Sequence, residues 1–448
     1  MKKNYTFKLF KCLVVAVVAC FASALYAQTP TWEKIKDFPG TNDFFITKSG
    51  NMLMADLLFD WNTYATIGGI YISKDKGETW TKTGAKDYCY NYFIENDEYI
   101  FAAAGACRVA RSNDGGETWE MLSYQNQVVD VLGEENLEYA LAYSMAIYDD
   151  KLFVGDFTGG GIVYSADNGE TWVATDVETL KYDPEKGEKT KELQADKKDT
   201  RVVENIYNMM VYNGDLYAFG TYCVFKYLPE TNSWETLNMN SNFMAVGAIY
   251  EGKLCTGRSV PNFDAGSPFV VTLDENGVWG ELGNNPTEDY DCNIRAMHSD
   301  GSALYVGMQT KGFYYTQDGG NIWKCVNEGL PYDEGDFTPM KIKTDAEYIY
   351  LAAYSQDNNS GLYRLAKKDL NLVDAISDVN DNSGDVKFDG AQLKFGASTQ
   401  SAAVYDMSGR LVLRAAGNNV NVNHLNSGAY LYKAVQNGKS VCGKFMKK

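Results

Sequence analysis

The stretch Ser73-Lys-Asp75-Lys-Gly77-Glu-Thr79-Trp80 decides the fold. It returns as Ser112-Asn-Asp114-Gly-Gly116-Glu-Thr118-Trp119 and as Ser165-Ala-Asp167-Asn-Gly169-Glu-Thr171-Trp172. A variant is Thr316-Gln-Asp318-Gly-Gly320-Asn-Ile322-Trp323. Each copy follows a short apolar run, such as Gly69-Ile-Tyr-Ile72 or Gly312-Phe-Tyr-Tyr315, that reads as a strand. Asp and Gly at these offsets suit a tight turn, in which the carboxylate accepts backbone N–H groups and glycine takes positive φ. The Trp then opens the returning strand.

Outward from these turns, tryptophans recur in the same phase at positions Trp32, Trp80, Trp119, Trp172, Trp234, Trp279 and Trp323, with Trp61 alone outside the series. Spacings of roughly 40–60 residues suit a four-stranded repeat. Between them lie hairpin turns at Ser49-Gly50, Asn96-Asp97, Asp149-Asp150, Asn213-Gly214, Gly252, Asp300-Gly301 and Asp345, flanked by alternating apolar residues. Trp32 precedes the first hairpin, and the last is followed by Gly361-Leu-Tyr-Arg-Leu365 but by no Trp strand. The count closes if the Trp32 stretch supplies the outer strand of the last repeat, which leaves no open seam. The expected fold is all-β: a seven-bladed β-propeller with circular closure over residues 28–368, then a small antiparallel β-sandwich. The charge-dense insertion from Lys181 to Arg201 reads as a solvated loop or short exposed helix, with a protein-docking arm as the alternative.

The repeated turn resembles the Asp-box, or BNR-type, repeat of sialidases, sortilin-type receptors, xyloglucan-cleaving glycosidases and a photosystem assembly factor. The resemblance implies that the Ser or Thr, Asp, Gly and Trp of each copy are structural, holding turns away from the mouth of the central channel. Function then belongs to the opposite face, and fold alone does not say what that face does. Sialidases grip a carboxylate with three arginines, and Arg108, Arg258 and Arg295 stand where they would approach one mouth. The family's first arginine precedes its first Asp-box, whereas this chain has no Arg before Arg108, so rim or structural arginines are the preferred reading. Asp289, Asp291, Asp333, Glu334 and Asp336 are the candidates for a glycosidase carboxylate pair. Phe59, Trp61 and Tyr64 in a long loop, extended by Tyr88 and Tyr90, form an aromatic patch for stacking sugars or anchoring a peptide, or else a cap on the propeller's own core.

Charge and composition narrow the classes. A formal charge of -18 repels phosphate backbones and gives no reason for adsorption to anionic lipid. With two histidines, His298 and His424, and no Cys-x-x-Cys pair, catalytic triads, zinc sites and cofactors are not expected. Lys2, Lys3, Lys8 and Lys11 before the apolar run Leu13 to Ala22 predict a signal peptide over residues 1–27, ending at Ala27. A lipoprotein signal at Cys20 is the rival. No other segment reads as membrane-spanning. Cys89 and Cys107 fall on one face of the second repeat, either as a disulfide or as two buried free thiols.

Beyond a linker at 369–381, residues 382–448 alternate apolar runs with Gly turns. Asp378 to Gly384 mimics a calcium loop but carries Ser383 at its sixth position and Asp389 at its twelfth, so calcium is not expected. The pieces Ala402 to Leu413, containing Gly409 and Arg410, Val420 to Tyr432, containing Gly428 and Tyr430, and the terminal Lys444-Phe445 fall in order. They resemble the type A sorting domain of the Bacteroidetes type IX secretion system. The resemblance implies passage across the outer membrane with that machinery as partner, removal of the domain, and release or attachment to surface lipopolysaccharide. A carbohydrate-binding sandwich is the alternative. The expectation for the whole is a secreted or surface-attached, non-catalytic binder of glycan or protein, with a glycoside hydrolase as the alternative.

Overall fold

The computed structural model describes residues 29–448 apart from 61–64, 178–180, 184–187, 191–204, 221–223, 239–245, 258–268, 275–276, 287–292, 333–336, 356–358, 371–385, 396–398, 407–410, 416, 424, 427, 437–438 and 448. Up to Leu370 the described chain builds seven open antiparallel meanders, numbered here as sheets one to seven. Their first strands are Thr41–Ile46, Tyr90–Glu95, Ala142–Tyr148, Ile206–Tyr212, Val246–Tyr250, Ile294–Ser299 and Thr338–Thr344. Each pairs with the next strand through the hairpin turn read from sequence. Asp149 and Asp150, or Asn213 and Gly214, take the two positive φ angles that a two-residue turn requires.

Successive sheets pack side by side through these first strands. Each lies against the next in chain order, and Thr338–Thr344 lies against Thr41–Ile46. Glycines in second strands make room for the neighbour. A Cβ on Gly155, Gly257 or Gly307 would come within 2.7 Å of Ile206, Ile294 or Pro339, each on the first strand of the following sheet.

Sheet seven draws on both ends of this region. Glu33–Asp37 pairs antiparallel with Gly361–Ala366 as its fourth strand. Trp32 anchors that strand: it is 3 % exposed, its indole N–H donates to the Val326 carbonyl (2.8 Å) and its ring meets Phe313 edge-on at 5.0 Å.

The sequence reading missed two additions. Asp176–Val177 runs parallel to Ser233–Asn238 as a fifth strand of sheet four. A helix, Gln125–Leu132, follows sheet two and buries Val128 in the core shared by sheets two and three. In the charged insertion, expected as loop or helix, Lys181–Asp183 and Glu188–Thr190 pair as a small ladder.

The C-terminal region forms a three-stranded and a four-stranded sheet enclosing Phe395, Val404, Val420, Tyr432 and Phe445. Tyr430 stacks on Phe445 at 5.5 Å and donates its hydroxyl to the Asn426 carbonyl (2.9 Å), while Lys444 is exposed. Gly409 and Arg410, and the calcium-like stretch from Asp378 to Gly384, lie outside the described residues.

Candidate binding channel

The four repeated turns have one hydrogen-bond plan. Ser73 donates to Asp75 (2.8 Å) and accepts the Gly77 N–H (2.8 Å), while Asp75 accepts the Thr79 N–H (2.8 Å). Ser112, Ser165 and Thr316 repeat the first two contacts. Lys76, Gly115, Asn168 and Gly319 precede the turn glycine and share its positive φ. The indole N–H groups of Trp80 and Trp119 donate to the carbonyls of Gly77 and Gly116, whereas those of Trp172 and Trp323 have no partner among the described residues. The turns sit beside the hairpins: Asn51 donates to the Gly115 carbonyl and Asn96 to the Asn168 side chain. They therefore lie at the far end of each sheet from where the first strands begin.

At that beginning the first strands break their alternation. The ladder to the second strand skips Asn42, Asn91, Tyr143, Tyr207, Arg295 and Met340. Only sheet five keeps an unbroken register there. A β-bulge turns the extra side chain out of the ladder. All six line one cavity of about 490 Å³ to which every first strand contributes. The first strands run in parallel around it, because early residues meet early ones and late meet late. Asn42 donates to the Tyr90 carbonyl (2.6 Å), Asn91 to that of Ala142 (2.8 Å) and Ser144 to that of Ile206 (3.3 Å). Near the other end His298 meets Thr344 at 3.1 Å.

One side of the mouth is aromatic. Phe157 lies 4.9 Å from Tyr143 and 5.2 Å from Tyr207, ring centre to ring centre. Deeper in, Asp43, 2 % exposed, accepts the Phe93 N–H (2.9 Å) and pairs with Lys341 (2.8 Å). The Lys341 ammonium also stands 4.2 Å from the Tyr92 ring. Burial is the largest influence on Lys341 and opposes its charge, but Asp43, Tyr92 and Tyr143 together outweigh it and the pKa is raised. Lys343 has no such ion pair among the described residues. Burial, then repulsion from Lys341, pushes its pKa down to about 8. Burial and the Lys343 charge bring His298 down to about 3, so it is neutral at pH 7.

The expected site residues scatter. Arg295 is in the channel wall. Arg108 and Tyr88 come together, guanidinium over ring at 5.1 Å, but neither lines the cavity. Tyr90 is core rather than surface, 1 % exposed with its hydroxyl donated to the Lys86 carbonyl. The side chain of Phe59, all of Trp61, Tyr64 and Arg258, and the five candidate carboxylates lie outside the described residues. Cys89 and Cys107 are free thiols, not a disulfide. The Cys89 thiol donates to the Asn91 side chain (3.0 Å), and Cys107, at a positive φ, donates towards the Leu137 carbonyl. The remaining wall residues went unnoticed because a bulge has no composition of its own. The only signal is the lapse in alternation, as in Thr41-Asn-Asp43-Phe and Ile206-Tyr-Asn208-Met.

Comparison with solved structures agrees with this architecture. YCF48 bound to D1 peptide superposes with a TM-score of 0.50 at 14% identity, covering 76% of this chain and 98% of that one. YCF48 from Cyanidioschyzon merolae gives 0.50 at 13% identity, covering 75% and 99%. Both are β-propellers, and that is the fold of this chain's main region. Residues 386–448 match the secretion system C-terminal sorting domain. The chain is therefore exported to the cell surface or secreted, with the type IX secretion machinery as a partner. No helix among the described residues is long and apolar enough to cross a membrane. No curated protein matches the chain.

Proposed function

We propose that the seven sheets are the blades of one β-propeller, spanning residues 28–368, closed by its first and last strands and carrying Asp-box turns at its outer strands. Outside the cell it binds a glycan or a protein through its channel mouth and catalyses no reaction. The observation that carries this reading is the convergence of six bulged side chains on one cavity. Bulges next to functional sites re-aim side chains at some cost to the ladder, and here the cost recurs at one place in successive sheets. A pocket of this size, aromatic on one side and polar or charged over much of the rest, suits a small ligand or the end of a larger one. Among the described residues the one lining carboxylate, Asp43, is held by Lys341 and a backbone N–H, an arrangement that supports binding. The protein arm of the reading has a parallel in YCF48, solved with D1 peptide.

The test is a panel of glycans and peptides offered to the full chain, scored both for retention and for cleavage products. Retention that Tyr143→Ala abolishes, without products, is the expected result. Cleavage of any glycan would replace this reading with a glycoside hydrolase. Retention unaffected by Tyr143→Ala would move the site away from the channel.

A further inference from the structure

The channel opposes the charge of the protein around it. The chain carries a net -18. Yet among the described residues the cavity is lined by Arg295, Lys341 and Lys343 against Asp43 alone. Asp43 satisfies one cation, Lys341. Arg295 and Lys343 make no ion pair among the described residues. The Lys343 ammonium stands 5.6 Å from the Phe45 ring and feels a weaker attraction from Asp43 than the repulsion of Lys341. A wall cation without a described counter-charge carries a desolvation cost that an arriving anion returns.

The rest of the wall describes what the anion is attached to. The Tyr143, Phe157 and Tyr207 rings pack into one aromatic cluster that lines the cavity, and the two tyrosines add phenol hydroxyls. The amide of Asn208 stands alongside. Such a surface matches the C–H face and hydroxyls of a pyranose ring. Tyr143 lies within electrostatic reach of both Arg295 and Lys341, so the aromatic and cationic parts belong to one site.

We infer that the channel binds an acidic sugar, its ring packed against Tyr143 and Tyr207 and its carboxylate or sulfate drawn in by the wall cations, Arg295 towards the mouth and Lys343 further along the channel; this rests on the binding function proposed above. The two anion sources share one chemistry and differ only in the probe that reveals them.

Calorimetric titration of the full chain at pH 7 with glucuronate, glucose 6-sulfate, glucose and an acidic tripeptide tests it. One or both acidic sugars bind at least about tenfold tighter than glucose. Lys343→Met and Arg295→Gln each remove about tenfold of that preference without lowering the thermal midpoint. Arg295→Lys restores part of the loss. Raising the pH from 7 to 9 weakens acidic-sugar binding as Lys343 loses its proton. Lys341, Asp43 and His298 are the titratable groups that face it among the described residues, and His298 is already neutral at both values. Equal affinity for glucose and the acids, or binding of the tripeptide alone, overturns the inference. So does an acid preference that survives both variants. Neutral glycans retained in the wider panel without any acid preference would leave the binding function standing and remove only the anion. No binding by any probe in either experiment removes both.

Discussion

At the outer turns, Ser73, Ser112, Ser165 and Thr316 each donate to one aspartate and accept one glycine N–H. At the channel, one bulged position is filled by Asn42, Asn91, Tyr143, Tyr207, Arg295 and Met340, which are four different chemistries. Both sets repeat in backbone geometry. Only the turns repeat in side chain. A turn must satisfy the same N–H groups in every sheet, so its side chains are dictated by the backbone. A channel wall satisfies nothing in its own strand, so each sheet is free to contribute something different. Uniform side chains mark scaffold here, and divergent side chains at a uniform position mark the site.

The contrast can be broken by measuring stability. Trp32→Ala should have the largest effect, about 3–5 kcal/mol, because it removes a buried ring and an indole hydrogen bond beside the strand that pairs the start of the seven-sheet region with its end. Urea unfolding reads this directly, and a loss near zero would mean that Glu33–Asp37 is dispensable to sheet seven.

Next comes Gly169→Ala, at about 1–3 kcal/mol. Its φ is +99° and a Cβ would sit 2.4 Å from Leu122 Cδ1. Gly214→Ala is the control, with φ +85° but open space around it, and should cost less. Equal losses in the two variants would show that backbone conformation, not packing against the neighbouring sheet, sets the glycine requirement.

A smaller effect is expected in acid. Hydrogen bonds from the Thr171 hydroxyl and N–H, then from Ser165, hold the Asp167 pKa at about 2, below its ordinary 3.8. The folded state therefore binds this proton more weakly than the unfolded chain does. The contribution is complete above about pH 4 and is lost as the pH falls towards 2. Asp167→Asn should flatten that part of the stability profile, as followed by urea midpoints from pH 5 to pH 2. An unchanged slope would assign the acid sensitivity elsewhere.

Smallest of all should be Tyr143→Ala, within about 1 kcal/mol of wild type because it lines the cavity and stands outside the ladder. A loss approaching that of Trp32→Ala would make the channel ring part of the scaffold and would cancel the contrast.

Much of the architecture was legible. The turns of Ser73 to Trp80 and its copies announced repeated antiparallel sheets because tight turns need particular residues at particular offsets. The hairpins at Asn213-Gly214 and Asp149-Asp150 were readable for the same reason. The terminal sorting domain was legible because its pieces fall in order at the end of the chain. The site was mostly illegible. Arg295 was singled out, but beside Arg108, which turns instead to Tyr88. Tyr90 looked like a surface aromatic and is core, since a residue at the mouth of a strand is displayed or buried according to a one-residue register step. Cys89 and Cys107 are close in sequence and topology, yet each thiol has found an oxygen acceptor of its own.

By itself the sequence determined an all-β repeat followed by an exported tail, because turn chemistry and alternation are local requirements met within a few residues. Tertiary structure decided the channel. Asn42 and Arg295 are more than two hundred residues apart, and neither carries a mark of the other. They share a wall because successive sheets pack through their first strands and a bulge in each turns one side chain inward. Lys341, paired with Asp43, and Lys343, without an ion pair among the described residues, stand two residues apart on one strand. What separates them is the position of Asp43 on a strand from the other end of the chain, which no local pattern encodes.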